Sequence, residues 1–161
     1  KEAINNAEAI IIGGGNTFHL LHEIYKFEVY DSIIEKVKNG TPYIGWSAGS
    51  NMACPTIKTT NDMPIIEPPS FNALNFIPFQ INPHYLDANP DGHNGETREQ
   101  RLVEFLAVNQ TIKVAGLREG TMFKIVDNSI QLIGDRTLRI FEYGKDPKEF
   151  TNQDDLTFLL G

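Results

Sequence analysis

Cysteine occurs once in this chain, at Cys54. That excludes an intrachain disulfide and any multi-cysteine zinc site, and makes a reducing, cytoplasmic compartment the expected location. Positive charge is also scarce: 14 Lys and Arg against 21 Asp and Glu give a formal net charge of −7. Phosphate recognition needs a basic footprint, so no nucleic-acid partner is expected. No apolar run nears the roughly 20 residues that a membrane-spanning helix requires, so no membrane partner is expected either. Repeats and low-complexity segments are missing. What is present is globular: 161 residues, 40% hydrophobic and 22% charged, enough for a single domain with a sizeable core.

The order of elements reads as α/β. Ala7 to Ile12 is a β-branched, nearly all-apolar run, the pattern of a strand buried on both faces of a parallel sheet. Gly13-Gly14-Gly15 ends it. Asn16 or Thr17 then caps a helix to about Tyr25, with Phe18, Leu21 and Ile24 on one face. A second helix is expected from Val29 to Lys38, stopped by Asn39-Gly40. Pro42 to Trp46 reads as another short buried strand, completing a right-handed crossover. Cys54 to Pro78 carries five prolines and reads as loop. A strand at Phe76 to Ile81, with Pro78 marking an edge or bulge, leads into the polar stretch Asn82 to Glu96. A helix from Thr97 to near Asn109 follows, then a strand at Ile112 to Leu117. Met122 to Val126 and Ile130 to Ile133, joined by Asp127-Asn128-Ser129, form a hairpin, with a further antiparallel strand at Leu138 to Tyr143. The tail from Lys145 shows little pattern before Leu156 to Leu160.

Gly45-Trp46-Ser47-Ala48-Gly49 fits the G-x-S-x-G pattern, in which a strand turns sharply into a helix and leaves the serine exposed at the apex. A serine in an ordinary strand–helix turn is the competing reading, and three fixed positions alone do not decide between them. The apolar strand before it and the small residues after it (Ala48, Gly49, Ser50, Ala53) favour the sharp turn. The glycine triplet sits at the carboxyl end of the first strand, where open α/β sheets bind ligands; its N–H groups could join that of Ala48 in an oxyanion hole. It fits neither phosphate-binding glycine pattern. A serine nucleophile needs a base. Of His19, His22, His84 and His93, the first two share a helix and read as surface residues. His84 directly follows a strand in Asn82-Pro83-His84-Tyr85, the better position for a base. His93, between Gly92 and Asn94, is the poorer one. His84, Asp87, Asp91 and His93 match no helix-borne or ribbon ligand set, and no metal is expected. Cys54 reads as a buried small residue. Asp62 and Glu119 both stand where a carboxylate could orient His84, and spacing does not choose between them.

At these residues the chain resembles peptidase E, the aspartyl dipeptidase family of serine peptidases. The resemblance rests on IIGGGNTF, YIGWSAGSNMACPTIKTTNDMPI, QINPH and GHNGETREQR, in that order. It implies a three-layer α/β/α sandwich related to class I glutamine amidotransferases, with a mostly parallel central sheet and C-terminal antiparallel hairpins. It implies Ser47 as nucleophile, His84 as general base, and either Asp62 or Glu119 as third member. Gly15 and Ala48 would supply the oxyanion hole, and Arg98 would meet the aspartate side chain of an Asp-Xaa dipeptide. No cofactor is implied, and a homodimer is an expected assembly. Family members begin earlier, so an α/β segment ahead of Ala7 is expected, without which the span should be unstable or self-associating. A cyanophycinase-like hydrolase and a non-catalytic amidotransferase-like binding module are the alternatives. Short loops disfavour the polymer substrate of the first, and the joint presence of Ser47, His84, Asp62 and Glu119 disfavours the second.

Overall fold

The computed structural model describes residues 1–92 and 94–161. His93, weighed above as a base and as a metal ligand, lies outside the described residues. The chain divides into two units, Lys1–Ile77 and Pro78–Gly161.

The first unit runs helix α1 (Glu2–Asn5), strand β1 (Ile10–Ile12), α2 (Thr17–Lys26), α3 (Tyr30–Lys38), β2 (Tyr43–Gly45) and α4 (Ala48–Ala53). Asn16 caps α2 by accepting the His19 N–H, as an Asx N-cap does. Leu21 and Ile24 of α2 and Ile33 of α3 turn inward onto Ile10, Ile12, Met52, Ile57 and Leu74. β1 and β2 pair in parallel with Ile11 opposite Ile44. Burial on both faces was the expectation for these strands, and it fails: Ile11 is 60% and Ile44 52% exposed, so only the Ile10/Ile12 face is packed. Continuous apolar sequence gives no alternation from which the open face could be told. Helix α1 was not anticipated, because four residues are too few to show a period. Residues 54–77 form no helix or strand, as their prolines suggest, and are held by backbone bonds such as Leu74 N–H to Met52 O at 2.8 Å. Cys54 is fully buried.

The second unit holds β3 (Gln80–Pro83), α5 (Arg98–Val108), β4 (Val114–Leu117), β5 (Met122–Val126), β6 (Ser129–Ile133), β7 (Leu138–Phe141) and β8 (Lys148–Phe150). A four-stranded sheet has the order β3-β4-β7-β8, its first pair parallel and the others antiparallel, while β5 and β6 form the expected hairpin. All residues of β3 and β4 are buried, whereas β6 alternates. Tyr85, Leu102, Leu106, Val114 and Phe141 form the core under α5. Two boundaries move. The strand expected at Phe76 to Ile81 begins at Gln80, past Pro78 and at the first residue in register with β4, and runs on to Pro83. β8 forms within a tail that showed no pattern, because its short, half-polar sequence is recruited by pairing with β7.

Candidate active site

In the first unit, β2 ends at Gly45 and α4 begins at Ala48, so Ser47 occupies the junction. Its backbone lies at φ 54, ψ −115, a conformation that costs an L-residue on the order of 1–3 kcal/mol and persists only where neighbours enforce it. The enforcement is visible at the flanking glycines. A Cβ on Gly49 would stand 1.9 Å from the Ile12 carbonyl oxygen, and one on Gly45 2.6 Å from the Gly49 oxygen. The start of α4 thus packs backbone-to-backbone on β1, and Gly49 N–H donates to Gly13 O at 3.2 Å. A Cβ on Gly14 would lie 3.7 Å from Ser47 Oγ, so the glycine turn runs beside the serine. Gly15 closes that turn at φ +139 with open space around it. Ala48 is buried directly after Ser47.

Asp62 is engaged at this same turn. Its Oδ2 accepts the Thr17 N–H at 2.7 Å and the Thr17 hydroxyl at 2.5 Å, and Asn16 Nδ2 donates to Met63 O at 2.8 Å. The loop around Asp62 is therefore tied to the first residues of α2, immediately after Gly15.

In the second unit, His84 follows the last residue of β3 and takes φ 54. Tyr85 beyond it is buried against Gly116 and Phe141, and its N–H donates to Leu117 O at 3.0 Å. With Pro83 in the sheet and Tyr85 in the core, the positive φ turns the His84 side chain outward, about half exposed. The β3–β4 register, Pro83 opposite Leu117, brings the residues just after β4 alongside it. There His84 Nδ1 and Glu119 Oε1 are hydrogen-bonded. Among the candidates, then, His84 and Glu119 are brought together within one unit. Ser47, Gly15, Ala48 and Asp62 belong to the other.

Arg98 opens α5, half buried, after a capping box in which Thr97 Oγ1 accepts from Gln100 N–H and Gln100 Oε1 from Thr97 N–H. Burial, with Arg101 adding to it, lowers the Arg98 guanidinium below its ordinary value. Arg101, Arg118 and Arg139 all hold carboxylates, but among the described residues none pairs with Arg98. Of the charged groups beside the His84–Glu119 pair, sequence reading took Asp87 only as a candidate metal ligand and did not single out Arg118, Arg139, Glu99 or Glu149. Arg118 binds Asp87 and Glu149, and Arg139 binds Glu149 and Glu99. Glu149 should be pushed up by burial, but hydrogen bonds from Arg118, Thr137 and Arg139 overrule that and hold it at about 2. The only sequence signal was position, with Arg118 beside Glu119 and Asp87 three residues after His84.

The chain is thus a mixed α/β protein, with Ser47 at a strand-to-helix junction in the first unit and the His84–Glu119 pair at the end of a parallel strand pair in the second. Residues 1–133 match the sequence model of Peptidase family S51, and the chain belongs to that family. It is 62% identical over 159 residues to a protein named Peptidase E from a Nostoc species, covering 99% of this chain and 66% of that protein. A Shewanella protein of the same name is 55% identical over 141 residues, covering 88% of this chain and 60% of its own length. The chain thus spans slightly under two thirds of these curated relatives. A crystal structure of a peptidase from an acI-B1 Actinobacterium shares the fold at TM-score 0.67 and 18% identity, over 96% of this chain and 61% of that one.

Proposed function

We propose that this chain carries the catalytic residues of a serine-type dipeptidase that hydrolyses Asp-Xaa dipeptides through an acyl-enzyme on Ser47. The observation that carries the reading is the His84 Nδ1–Glu119 hydrogen bond. With Glu119 holding the proton on Nδ1, Nε2 is left as the acceptor that a serine hydroxyl needs, and the imidazolium formed on proton transfer is stabilised. Ser47, on the nucleophile elbow, attacks the carbonyl of the N-terminal aspartate as His84 takes its proton. The Gly15 and Ala48 N–H groups receive the developing oxyanion. His84 then returns the proton to the leaving amine, and water activated by the same base releases aspartate. Of the two carboxylates, the bond to His84 favours Glu119 as the orienting acid. The bonds from Thr17 favour Asp62 as the residue that holds the loop beside Gly15. Arg98, which pairs with no carboxylate among the described residues, suits a substrate carboxylate, which a guanidinium meets with two parallel hydrogen bonds. The names of the relatives support a peptide substrate, and we place the protein in the cytoplasm, working as a homodimer.

The test is hydrolysis by the full-length protein of Asp-p-nitroanilide and Asp-Leu against their Asn, Glu and Leu counterparts. Only the aspartyl substrates should turn over, and Ser47→Ala should abolish turnover while leaving binding intact. Equal rates on the Asn substrate would remove Arg98 as the specificity residue, and activity retained by Ser47→Ala would remove the mechanism.

A further inference from the structure

His84 and Glu119 are both open to solvent, with side chains 49% and 63% exposed. An exposed histidine–carboxylate hydrogen bond contributes little to its own placement, because water competes for both groups and two side chains must be ordered. Something else must hold them together, and the surrounding charges do so. Arg118, the residue before Glu119, has a side chain only 10% exposed, and all three of its nitrogens are used. Nε donates to Asp87 Oδ2 at 3.0 Å and Nη2 to Asp87 Oδ1, a bidentate clamp. Nη2 and Nη1 also reach the two Glu149 oxygens at 3.0 and 2.9 Å, and Nη1 donates to the Thr137 carbonyl at 2.7 Å. The guanidinium lies 5.5 Å from the Tyr85 ring. Asp87 stands three residues after His84, Tyr85 one. A single buried side chain therefore grips the segment that follows His84 while its own backbone carries Glu119.

We propose that Arg118 is a positioning residue for the His84–Glu119 pair, fixing the two segments that carry them by clamping Asp87 and Glu149. This rests on the serine-peptidase reading of the site. A lysine could not replace it, since one ammonium cannot serve Asp87 bidentately together with Glu149 and Thr137. The chain of charges continues through Glu149 and Arg139, whose Nη2 donates to Glu99 Oε2 at 2.8 Å. It so reaches the helix residue next to Arg98.

Two readouts on the full-length protein test this: kcat and KM on Asp-p-nitroanilide, and the tautomer of the neutral His84 ring from its nitrogen chemical shifts. Arg118→Gln should lower kcat on the order of 10²-fold with little change in KM, the scale set by a small misplacement. It should also move His84 away from the Nδ1–H tautomer, as Glu119→Gln should, and Arg118→Lys should fall between. Combined with Glu119→Gln, it should cost no more than the worse single change. Wild-type kcat and tautomer in Arg118→Gln overturn the proposal, and so do losses that multiply in the double variant, since a merely structural role would multiply. If Arg118→Gln does not fold, Asp87→Asn decides by the same two readouts, because it keeps the Arg118 bonds to Glu149 and Thr137. Should Ser47→Ala leave kcat intact, the peptidase reading fails, while the tautomer in Arg118→Gln still judges the positioning.

Discussion

Ser47 and His84 share a backbone anomaly, φ 54 at a residue that is not glycine. Each is flanked by residues that cannot yield: Gly45 and Gly49 pack without room for a Cβ, and Tyr85 is locked in the core. Positive φ occurs also at Glu28, Asn75 and Asp127, but Ser47 combines it with ψ −115, outside the left-handed helical region, so the strain lies at Ser47. It follows that Ser47→Gly should be more stable than Ser47→Ala by about 1 kcal/mol, because glycine relieves the positive φ, while both lose turnover. Urea unfolding of the two variants measures this, and equal midpoints would count against strain at Ser47. Gly49→Ala should cost about 1–3 kcal/mol or more, since the obstructing atom is a backbone carbonyl rather than a movable side chain. At this scale the sequence was informative about Ser47, whose glycines announce the turn. It was silent on the choice between Asp62 and Glu119. That choice depends on partners 35 residues apart for His84–Glu119 and 45 apart for Thr17–Asp62, distances that no local spacing encodes.

Elements with a full period were legible, and those without one were not. Helices α2, α3 and α5 announce themselves by apolar stripes and caps, so their bounds were anticipated to within a residue or two. Strands β1 and β2 were found, but their burial was misjudged, because a short run without polar alternation, III in β1 and YIG in β2, looks the same whether one face is covered or two. β8 exists only by virtue of its neighbour. The capping box on α5 bears on the proposed function, because the helix starts at Arg98. Thr97→Ala should lower stability by about 1 kcal/mol, and by fraying the first turn it should raise KM for aspartyl substrates more than it lowers kcat. Steady-state kinetics separate the two effects. The open face of β1 and β2 belongs to this scale as well. Expressed as these 161 residues alone, the chain should self-associate, and Ile11→Thr with Ile44→Thr should shift it toward monomer in size-exclusion chromatography, because that exposed isoleucine pair would be the adhesive surface.

Across the molecule, the candidate residues are shared between two units: Gly15, Ser47, Ala48 and Asp62 in the first, His84, Arg98 and Glu119 in the second. Composition and spacing carry no trace of that division. The acidic balance also takes on structure in the second unit, where Asp87, Glu149 and Glu99 alternate with Arg118 and Arg139. This gives the molecule a defined response to acid. Glu149 is held at about 2 against an ordinary value of 4.5, and Asp87 is lowered in the same sense by its bonds to Arg118. A carboxylate whose folded value is depressed binds fewer protons folded than unfolded. Its contribution to stability is therefore complete above about 4.5 and is lost as pH falls toward about 2. Unfolding free energy measured by urea titration should decline across that window, and Glu149→Gln should be less stable near neutrality with a shallower decline. Parallel curves for the two proteins would mean that Arg118 and Arg139 do not stabilise the ionised Glu149. The same experiment on Arg118→Gln should flatten the curve too, since removing the cation leaves Glu149 without its strongest donor.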